Sequence, residues 1–442
     1  MKEQTFQHAL KIEHDVCIGC SRCIRVCPTE ALRVKYGKAQ LYPDWCIDCG
    51  QCYRACPTRA IVVESDDFNK IYSYQHRILL IPSLFTGQFP ENISEDDIYH
   101  ALYQIGFTQI VEVEMSVDSL TESINHYIAN NDTKPTISSF CPAIVRLIQV
   151  NYPSLVDNLM RLKAPVDITA EYCKSQLVQK GIDEKEIGIF YITPCAAKIA
   201  AVKNPLGGYG TAITGVLNMD DLYNRTFHRI KQNKPIDIRC QHTPTLSGRS
   251  IRWSLTDGEA SNINGRCLAI DGMDNVIEFL DKLEENKNCN FDFLEIRACD
   301  ESCPGGILTL GNRFLAVEHM KYTAEQAPEK SQLPSEFSFT YDMIKAGEIK
   351  ERSMVRYDKD IAKAIEKMER AKKIRKQLPN IDCGACGAPS CEALADDVVR
   401  GESKIAYCIF VQKQQEQSGM LNYEQSFEIM EEIWGKNKFR RK

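Results

Sequence analysis

One cysteine pattern occurs twice near the start of the chain, and it constrains the local fold more than any other feature. The two copies read CIGCSRCIRVCP, from residue 17, and CIDCGQCYRACP, from residue 46. Both follow C-x2-C-x2-C-x3-C-P, in which three thiolates wrap one 4Fe–4S cluster and the fourth reaches the other. The pattern therefore predicts two clusters, the first on Cys17, Cys20, Cys23 and Cys56 and the second on Cys46, Cys49, Cys52 and Cys27. Zinc binding or disulfide bonding is the alternative, but neither explains why the whole spacing is duplicated.

This segment resembles the two-cluster ferredoxins of bacteria. The resemblance covers the duplicated run and includes Pro28 and Pro57, which turn the chain after the last ligand of each copy. It implies a small domain that transfers electrons, and it does not identify the reaction that uses them.

Length, charge and cysteine usage limit the class of protein. A chain of 442 residues predicts two or three domains, and a net charge of -6 gives no general attraction to nucleic acid. No apolar run reaches the ~18 residues of a membrane helix, and the first residues lack the apolar core of a signal peptide. Twenty cysteines, many in CxxC pairs, therefore predict metal thiolates in a reducing cytoplasm, and not a secreted disulfide scaffold.

The rest of the chain is predicted to form three further segments. Residues 67–320 alternate strand-like and helix-like stretches, beginning with RILLIPS and SEDDIYHALYQIGF, and this rhythm predicts a parallel sheet with helices on its faces. Residues 321–378 are predicted to form a polar linker and a charged helix. Residues 379–442 are predicted to form a cysteine module with a basic helical tail. With residues 1–66 as the two-cluster domain, the predicted fold class is a multi-domain α/β protein.

The C-terminal module contains four cysteines in CGACGAPSCEALADDVVRGESKIAYC, namely Cys383, Cys386, Cys391 and Cys408. Two cysteines in a glycine-rich loop, a third after a proline turn and a fourth after one helix can form a single four-thiolate cage. The segment resembles a single-cluster iron–sulfur domain of corrinoid-linked and membrane electron-transfer proteins, which implies one more 4Fe–4S cluster. A four-cysteine zinc site is the alternative.

Four further cysteines lie in three separate motifs of the middle segment. They are Cys141 in SSFCP, Cys195 in TPCAAK, and Cys299 and Cys303 in EIRACDESCPGG. These motifs resemble TSCCP, MPCxxK and ExMACxxGCxxGG of the iron–iron hydrogenase family. The resemblance implies a two-lobed α/β catalytic domain in which the four cysteines hold an active-site 4Fe–4S cluster.

The same resemblance implies the remainder of the active site. Cys303 would join the cluster to a two-iron unit whose other ligands are CO, CN and a bridging dithiolate. Lys198 stands where the family's lysine donates a hydrogen bond to an iron-bound cyanide, and an ammonium group suits that anionic ligand. In LLIPSLF, Pro82 matches the family segment that closes over the two-iron unit, and Ser83 is placed to donate to the other cyanide.

Several positions depart from the family pattern. Phe140 replaces the cysteine whose thiol relays protons in turnover hydrogenases, and it has no exchangeable proton. Arg297 and Thr193 replace the methionines that precede the third and second motifs, and Ala201 replaces a glutamate three residues beyond the lysine. These departures are similar to those of the sensory-type branch of the family, in a form without a PAS domain.

The resulting prediction is a low-turnover hydrogen sensor whose accessory clusters exchange electrons with the active site. One alternative is a competent ferredoxin-linked hydrogenase that produces or oxidises hydrogen over a rerouted proton path. Candidates for that path are Ser138, Ser139, Glu295, Asp300 and Glu301. A further alternative is a non-enzymatic, hydrogenase-like protein of iron–sulfur assembly.

The predicted partners are hydrogen and protons, an electron donor or acceptor such as ferredoxin, and, for a sensor, a signalling kinase or phosphatase. A homodimer is a further alternative, whereas nucleic acid and membrane partners are not expected. Four 4Fe–4S clusters, two of them ferredoxin-type, account for sixteen of the 20 cysteines. The remaining Cys173, Cys240, Cys267 and Cys289 are predicted to be ordinary packing residues.

Overall fold

The structure is a computed structural model, and it describes residues 6–208, 210–232, 245–285, 289–334, 337–352, 357 and 360–439. The chain forms two compact units. One combines Met1–Val63 with Arg352–Lys442, and the other is Glu64–Glu351. The two cysteine-rich ends of the chain therefore fold together, and the middle segment forms a unit of its own.

The described residues form both helices and strands throughout. The strands are β1 Leu10–Ile12, β2 Leu32–Lys35, β3 Lys38–Leu41, β4 Ile61–Val63, β5 His76–Ile81, β6 Gln109–Glu112, β7 Thr136–Ile137, β8 Ile187–Thr193, β9 Gly215–Asn218, β10 Cys267–Asp271 and β11 Phe293–Arg297. The α-helices are α1 Arg22–Arg25, α2 Gln51–Ala55, α3 Glu95–Ile105, α4 Val117–Ala129, α5 Pro142–Asn151, α6 Pro165–Gln179, α7 Ala196–Lys203, α8 Met219–Lys231, α9 Gly248–Arg252, α10 Met273–Glu285, α11 Arg313–Gln326, α12 Ile361–Arg375, α13 Cys391–Arg400, α14 Ile409–Gln417 and α15 Tyr423–Trp434.

A four-stranded parallel sheet forms the first lobe of the middle unit, with strand order β6-β5-β8-β9. All seven residues of β8 are buried, which is typical of a strand covered on both faces. Helix α3 begins in a capping box between Ser94 and Asp97. Its Ile98 and Leu102 pack in the same apolar core as Leu79 of β5, so the helix covers one face of this sheet.

A three-stranded parallel sheet, with order β10-β11-β7, forms the second lobe. Its core includes Phe293 of β11 together with Leu120 and Ile124 of α4. In both sheets the cysteine motifs begin directly after a strand: Cys195 follows β8, and Cys299 follows β11. Carboxyl edges of parallel strands are where α/β folds place their ligand sites, so this topology positions the motifs for one site.

The other unit joins the ferredoxin-like segment to the C-terminal helices. Strands β1 and β4 pair antiparallel, and β2 pairs antiparallel with β3. Arg33 of β2 makes a two-pronged ion pair with Asp397 of α13, at 2.6 and 3.1 Å, and both side chains are only 2% exposed. The backbone N–H of Val34 also donates to the carbonyl of Gly387. A buried charge depends strongly on its partner, so this pair ties the two sequence-distant segments together.

The observed elements confirm the predicted fold class: a mixed α/β chain with parallel sheets in the middle segment and a helical module at the C-terminus. The segment boundaries differ from the predicted ones. Helix α11 runs across residue 320 because no helix-breaking residue occurs before Pro328. The predicted charged helix is α12, which starts at the Asp360 cap and lies in the first unit, whereas residues 321–351 belong to the middle unit.

Within the part of the chain that the structure describes, no helix is both long and apolar enough to cross a membrane.

Candidate functional site

The eight cysteines of the duplicated N-terminal run lie in two groups. The thiol of Cys23 has Cys17, Cys20 and Cys56 as electrostatic neighbours, and all four line one small cavity. The thiol of Cys49 has Cys52 and Cys27 as neighbours, and Cys46 also faces Cys27 and Cys49. Each group takes three cysteines from one copy of the pattern and the fourth from the other copy. This exchange is the one that the spacing predicts.

Backbone N–H groups point at sulfur atoms in both groups. The N–H of Ala31 donates to Cys27 Sγ at 3.2 Å, and the N–H of Ala60 donates to Cys56 Sγ at 3.2 Å. The two contacts have the same geometry because the two copies have the same local fold. Such donors stabilise thiolate charge and influence the reduction potential of a bound cluster.

His8 and Asp48 form a pair that no sequence motif indicates. His8 Nδ1 lies 2.8 Å from Asp48 Oδ2, and the carboxylate is fully buried. Together with Cys46 these side chains could offer three ligand atoms to one ion. Cys46 is already assigned to a cluster, so the pair is better described as part of the wall of that cluster site.

The four C-terminal cysteines also converge on one small cavity. Cys383, Cys386, Cys391 and Cys408 all line it. Burial raises the pKa of the Cys386 thiol to about 12, and the other three thiols face it. The Asp382 side chain accepts from the N–H of Cys391 at 2.6 Å, which fixes the loop at the start of α13. Among the described residues that line it, the donor set is four thiols without an imidazole, which suits a four-thiolate iron–sulfur cluster and equally fits zinc.

The middle unit places its cysteines at the starts of helices and turns. Cys141 is the residue before α5 and Cys195 the residue before α7. Cys303 begins a short turn of 3-10 helix, and the two residues before it, Glu301 and Ser302, have left-handed φ values of 61° and 54°. Helix N-termini present unpaired N–H groups, so this placement suits an anionic metal cluster.

Three of these cysteines approach one another. Burial raises the pKa of the Cys195 thiol to about 11, and Cys141 and Cys303 are among the groups that interact with it. Cys299 lies four residues before Cys303 in the loop that follows β11. The motifs thus come together from three separated stretches of chain, as the resemblance implies.

A cavity of about 90 Å³ lies beside Cys303. A single water molecule needs roughly 10–15 Å³ of such space, so the cavity has room for a group of several atoms. Pro82, Phe140, Lys198 and Arg297 all contribute to its wall. The structure therefore gathers around one space four of the five side chains that the sequence places next to the cofactor.

The surroundings and charge of Lys198 indicate whether this space fits an anionic cofactor. Its side chain is half-buried, and its ammonium lies 3.8 Å from Cys303 Sγ. Among the described residues no carboxylate forms an ion pair with it, and burial alone would lower its pKa. The pKa is nevertheless raised, because Cys303, Tyr191 and Cys195 favour the charged form. A half-buried cation that faces sulfur and an open cavity is suited to an anionic ligand, so these residues fit a cyanide-bearing two-iron unit.

Ser83, the fifth of these side chains, is engaged with a residue that no sequence motif indicates. Its N–H and its hydroxyl both donate to Glu114 Oε2, at 3.0 and 3.2 Å. Glu114 is 3% exposed and belongs to the wall of the main cavity. Burial raises the pKa of the Glu114 carboxyl to about 7, although Ser83 and Lys198 favour the charged form.

Arg297 lies in a buried ionic network next to the cavity. Its guanidinium pairs with Glu259, reaches Glu295 at 3.5 Å and donates to the carbonyl of Trp253 at 3.2 Å. Ser138 donates to the other oxygen of Glu259 at 2.7 Å. Burial raises the pKa of the Glu259 carboxyl to about 7 against the attraction of Arg297. Glu259 was not a sequence candidate, and a buried arginine that requires a partner is the only signal for it.

Phe140 and the two acidic loop residues occupy different surroundings. Phe140 is 4% exposed, borders the cavity and packs against Trp253 with ring centroids 5.6 Å apart. Asp300 is exposed and pairs with Arg313, and Glu301 is half-buried. Neither Asp300 nor Glu301 belongs to the cavity wall, whereas Ser139 does.

Four cysteines without a motif are predicted to be packing residues, and three of them lie among the described residues. Cys173 is buried, and Cys267 and Cys289 are half-buried. Cys240 lies outside the described residues.

Comparison with protein families gives three matches along the chain. Residues 76–224 match the family described as iron only hydrogenase large subunit, C-terminal domain. Residues 16–61 match a 4Fe-4S dicluster domain, and residues 378–410 match an Fe-S cluster family. Each match falls on a segment in which the structure gathers cysteines.

Two curated relatives align with the chain. Iron hydrogenase 1 of Clostridium pasteurianum is 30% identical over 222 residues, which cover 43% of this chain and 38% of that protein. The periplasmic Fe hydrogenase large subunit of Nitratidesulfovibrio vulgaris is 26% identical over 212 residues, which cover 43% of this chain and 50% of that protein. The chain thus spans about half or less of the length of these relatives.

Solved structures give weaker likenesses. An FeFe-hydrogenase studied for oxygen inactivation of its two-iron subcluster is 13% identical, with a TM-score of 0.47, over 63% of this chain and 94% of that chain. An FeFe-hydrogenase from Chlamydomonas reinhardtii is 14% identical, with a TM-score of 0.45, over the same shares of the two chains.

The fold and the converging cysteines define a multi-cluster iron–sulfur protein. Its middle segment matches the iron only hydrogenase large subunit over residues 76–224, and its N-terminal segment is of the two-cluster ferredoxin type. The predicted resemblance of the middle segment to this family is confirmed by the match, which contains the first two of the three cysteine motifs.

Proposed function

We propose that this protein binds a two-iron cofactor on an active-site 4Fe–4S cluster and acts on hydrogen as a low-turnover sensor. The observation that supports the proposal most is the cavity that Cys303 and Lys198 share. When bound, a two-iron unit with CO, CN and a dithiolate supplies the site at which hydrogen is split or formed. Cys141, Cys195, Cys299 and Cys303 would hold the cofactor, and the protein residues around it orient it and exclude water.

Four 4Fe–4S clusters, one in each cysteine group, belong to this proposed function. Reconstituted protein that has not yet received the two-iron unit should therefore contain about 16 iron atoms per chain, four for each cluster. The measurement is iron and sulfide analysis with zinc determined in parallel. A value near 12 iron atoms together with zinc would remove the C-terminal cluster from the proposal.

Phe140 supports the sensory assignment because it borders the cavity and has no proton to exchange. Replacing it in Phe140→Cys should raise the rate of hydrogen evolution by about tenfold. A positioned proton-transfer group is typically worth ~10²–10⁴-fold, but the rest of the usual path is also missing, as Ala201 indicates. The measurement is the initial rate per assembled cofactor with a low-potential chemical donor.

Phe140→Ala is the matched control for that variant, because it opens the same space without adding a thiol. We expect no gain from it. If wild type already turns over like a vigorous hydrogenase and Phe140→Cys adds nothing, the sensory assignment is wrong.

The alternative is a competent ferredoxin-linked enzyme with a rerouted proton path. One observation favours it: Ser138 donates to Glu259, and Glu259 pairs with Arg297 at the cavity wall. Either function would draw on the accessory clusters for electrons. For the sensor we further propose a cytoplasmic location, a ferredoxin as electron partner, a kinase or phosphatase as signalling partner, and a homodimer as its assembly.

A further inference from the structure

The end of the first sheet builds a link between two cavities. Ile81, the last residue of β5, is the register partner of Glu112, the last residue of β6. The chain continues from these partners to Ser83 and to Glu114, so the two side chains meet at the same sheet edge. Ser83 holds Glu114 through two hydrogen bonds to one carboxylate oxygen, at 3.0 and 3.2 Å.

The two residues face different spaces. Glu114 belongs to the wall of the main cavity beside Cys303 and Lys198. Ser83 belongs to the wall of a second cavity of about 320 Å³, which has room for many water molecules. Ser83 therefore contacts the carboxyl of the main cavity and also borders a separate polar space.

The second cavity leads to the protein surface. Its wall includes Glu112, which is half-buried, and Glu95, which is exposed. Burial raises the pKa of both carboxyls. The nearby carboxyls of Glu114 and Glu95 raise the pKa of Glu112 further. His319 on α11 also lines this cavity and interacts electrostatically with Glu95. Exposure thus increases stepwise from Glu114 to Glu95, as expected for a path that ends in solvent.

We propose that Glu114 and Ser83 exchange protons between the active-site cavity and the second cavity. A hydronium ion in the second cavity gives a proton to the Ser83 hydroxyl oxygen and becomes neutral water, as the hydroxyl's own proton moves to Oε2 of the ionised Glu114. The neutral Glu114 then gives that proton to a base in the main cavity and is ionised again, and the reverse sequence carries a proton out. Ser83 is neutral before and after, because a hydroxyl can accept and donate at once.

The charge state of Glu114 suits this role. Its pKa is raised to about 7, so the carboxyl is protonated below that pH and ionised above it. The charged and titratable groups that face it are Lys198, Tyr191 and Glu112. Glu259, by contrast, is held on one oxygen by Arg297 and on the other by Ser138, and it is not part of the cavity wall.

The first test uses protein that contains its iron–sulfur clusters and does not depend on hydrogen turnover. Infrared difference spectra between pH 6 and pH 8 should show a carboxylic-acid C=O band that is lost at the higher pH. The band should be absent in Glu114→Gln and retained in Ser83→Ala, while Glu259→Gln removes a different band. A Glu114 carboxyl that stays ionised across this range would overturn the proposal.

The second test rests on the proposed function and follows exchange between hydrogen gas and D2O by protein that holds its two-iron cofactor. Glu114→Gln and Ser83→Ala should each slow exchange by roughly ten- to a hundredfold at equal cofactor content. Glu122→Gln, on the exposed side of α4, should not slow it. If wild type exchanges and both variants match it, the route is refuted, and a loss in Glu259→Gln alone would assign proton transfer to the Arg297 network. If wild type shows no exchange at all, the proposed function fails as well.

Discussion

Replacing Cys303 by serine is expected to abolish attachment of the two-iron unit completely while leaving the ferredoxin-type clusters in place. Cys303 is the one cysteine proposed to bond both halves of the cofactor, and its sulfur lies 3.8 Å from the Lys198 ammonium at the cavity. A serine hydroxyl is a poor substitute for a thiolate that bridges two iron centres. The measurement is the set of infrared CO and CN bands after maturation, together with iron content.

Cys267→Ser is the matched control for this variant. Cys267 is half-buried, and its S–H donates to the carbonyl of Ile263 at 3.5 Å. It belongs to none of the four cysteine groups, so the control should mature normally. Infrared bands that still change with hydrogen in Cys303→Ser would show that another residue is the bridging ligand.

Replacing Lys198 by alanine is expected to weaken retention of the two-iron unit by roughly 10- to 150-fold. A buried anionic ligand that loses a charged donor loses about 1.5–3 kcal/mol of hydrogen bonding, and each ~1.4 kcal/mol is a factor of ten. The fold should change less, because Lys198 forms no ion pair among the described residues and interacts with the Glu114 carboxyl only at longer range. The measurement is two-iron occupancy at equal 4Fe–4S content.

Lys203→Ala tests whether loss of any lysine from α7 has the same effect. Lys203 lies in the last turn of the same helix and is not part of the cavity wall. We expect the two-iron occupancy of Lys203→Ala to equal that of wild type. Equal occupancy in Lys198→Ala would mean that Lys198 does not contact the cofactor.

The cysteine sites were predictable because metal-ligand spacing is read directly along the chain. The C-x2-C-x2-C-x3-C-P pattern by itself predicts the exchange of Cys27 and Cys56 between the two N-terminal groups. The alternation of strand-like and helix-like stretches likewise predicts parallel sheets, and β5 with α3 lies within one or two residues of the prediction. Local patterns of this kind depend only on neighbouring residues.

The acidic residues around the cavity could not be predicted in this way. Glu114 meets Ser83 across 31 residues of sequence, and Glu259 meets Arg297 across 38 residues. Neither pair has a characteristic spacing, because each contact is created by strand register or by packing. The packing of the N-terminal segment against the C-terminal segment could not be predicted for the same reason, since Arg33 and Asp397 are 364 residues apart.

A two-iron unit with CO and CN ligands in the space beside Cys303 is the centre of the proposed function. The most direct test is the infrared spectrum of protein that has full 4Fe–4S content and has been matured with that cofactor. We predict sharp bands from iron-bound CO and CN that shift when hydrogen is added. A spectrum without such bands, in protein whose four clusters are intact, would contradict the claim and favour a hydrogenase-like protein of iron–sulfur assembly.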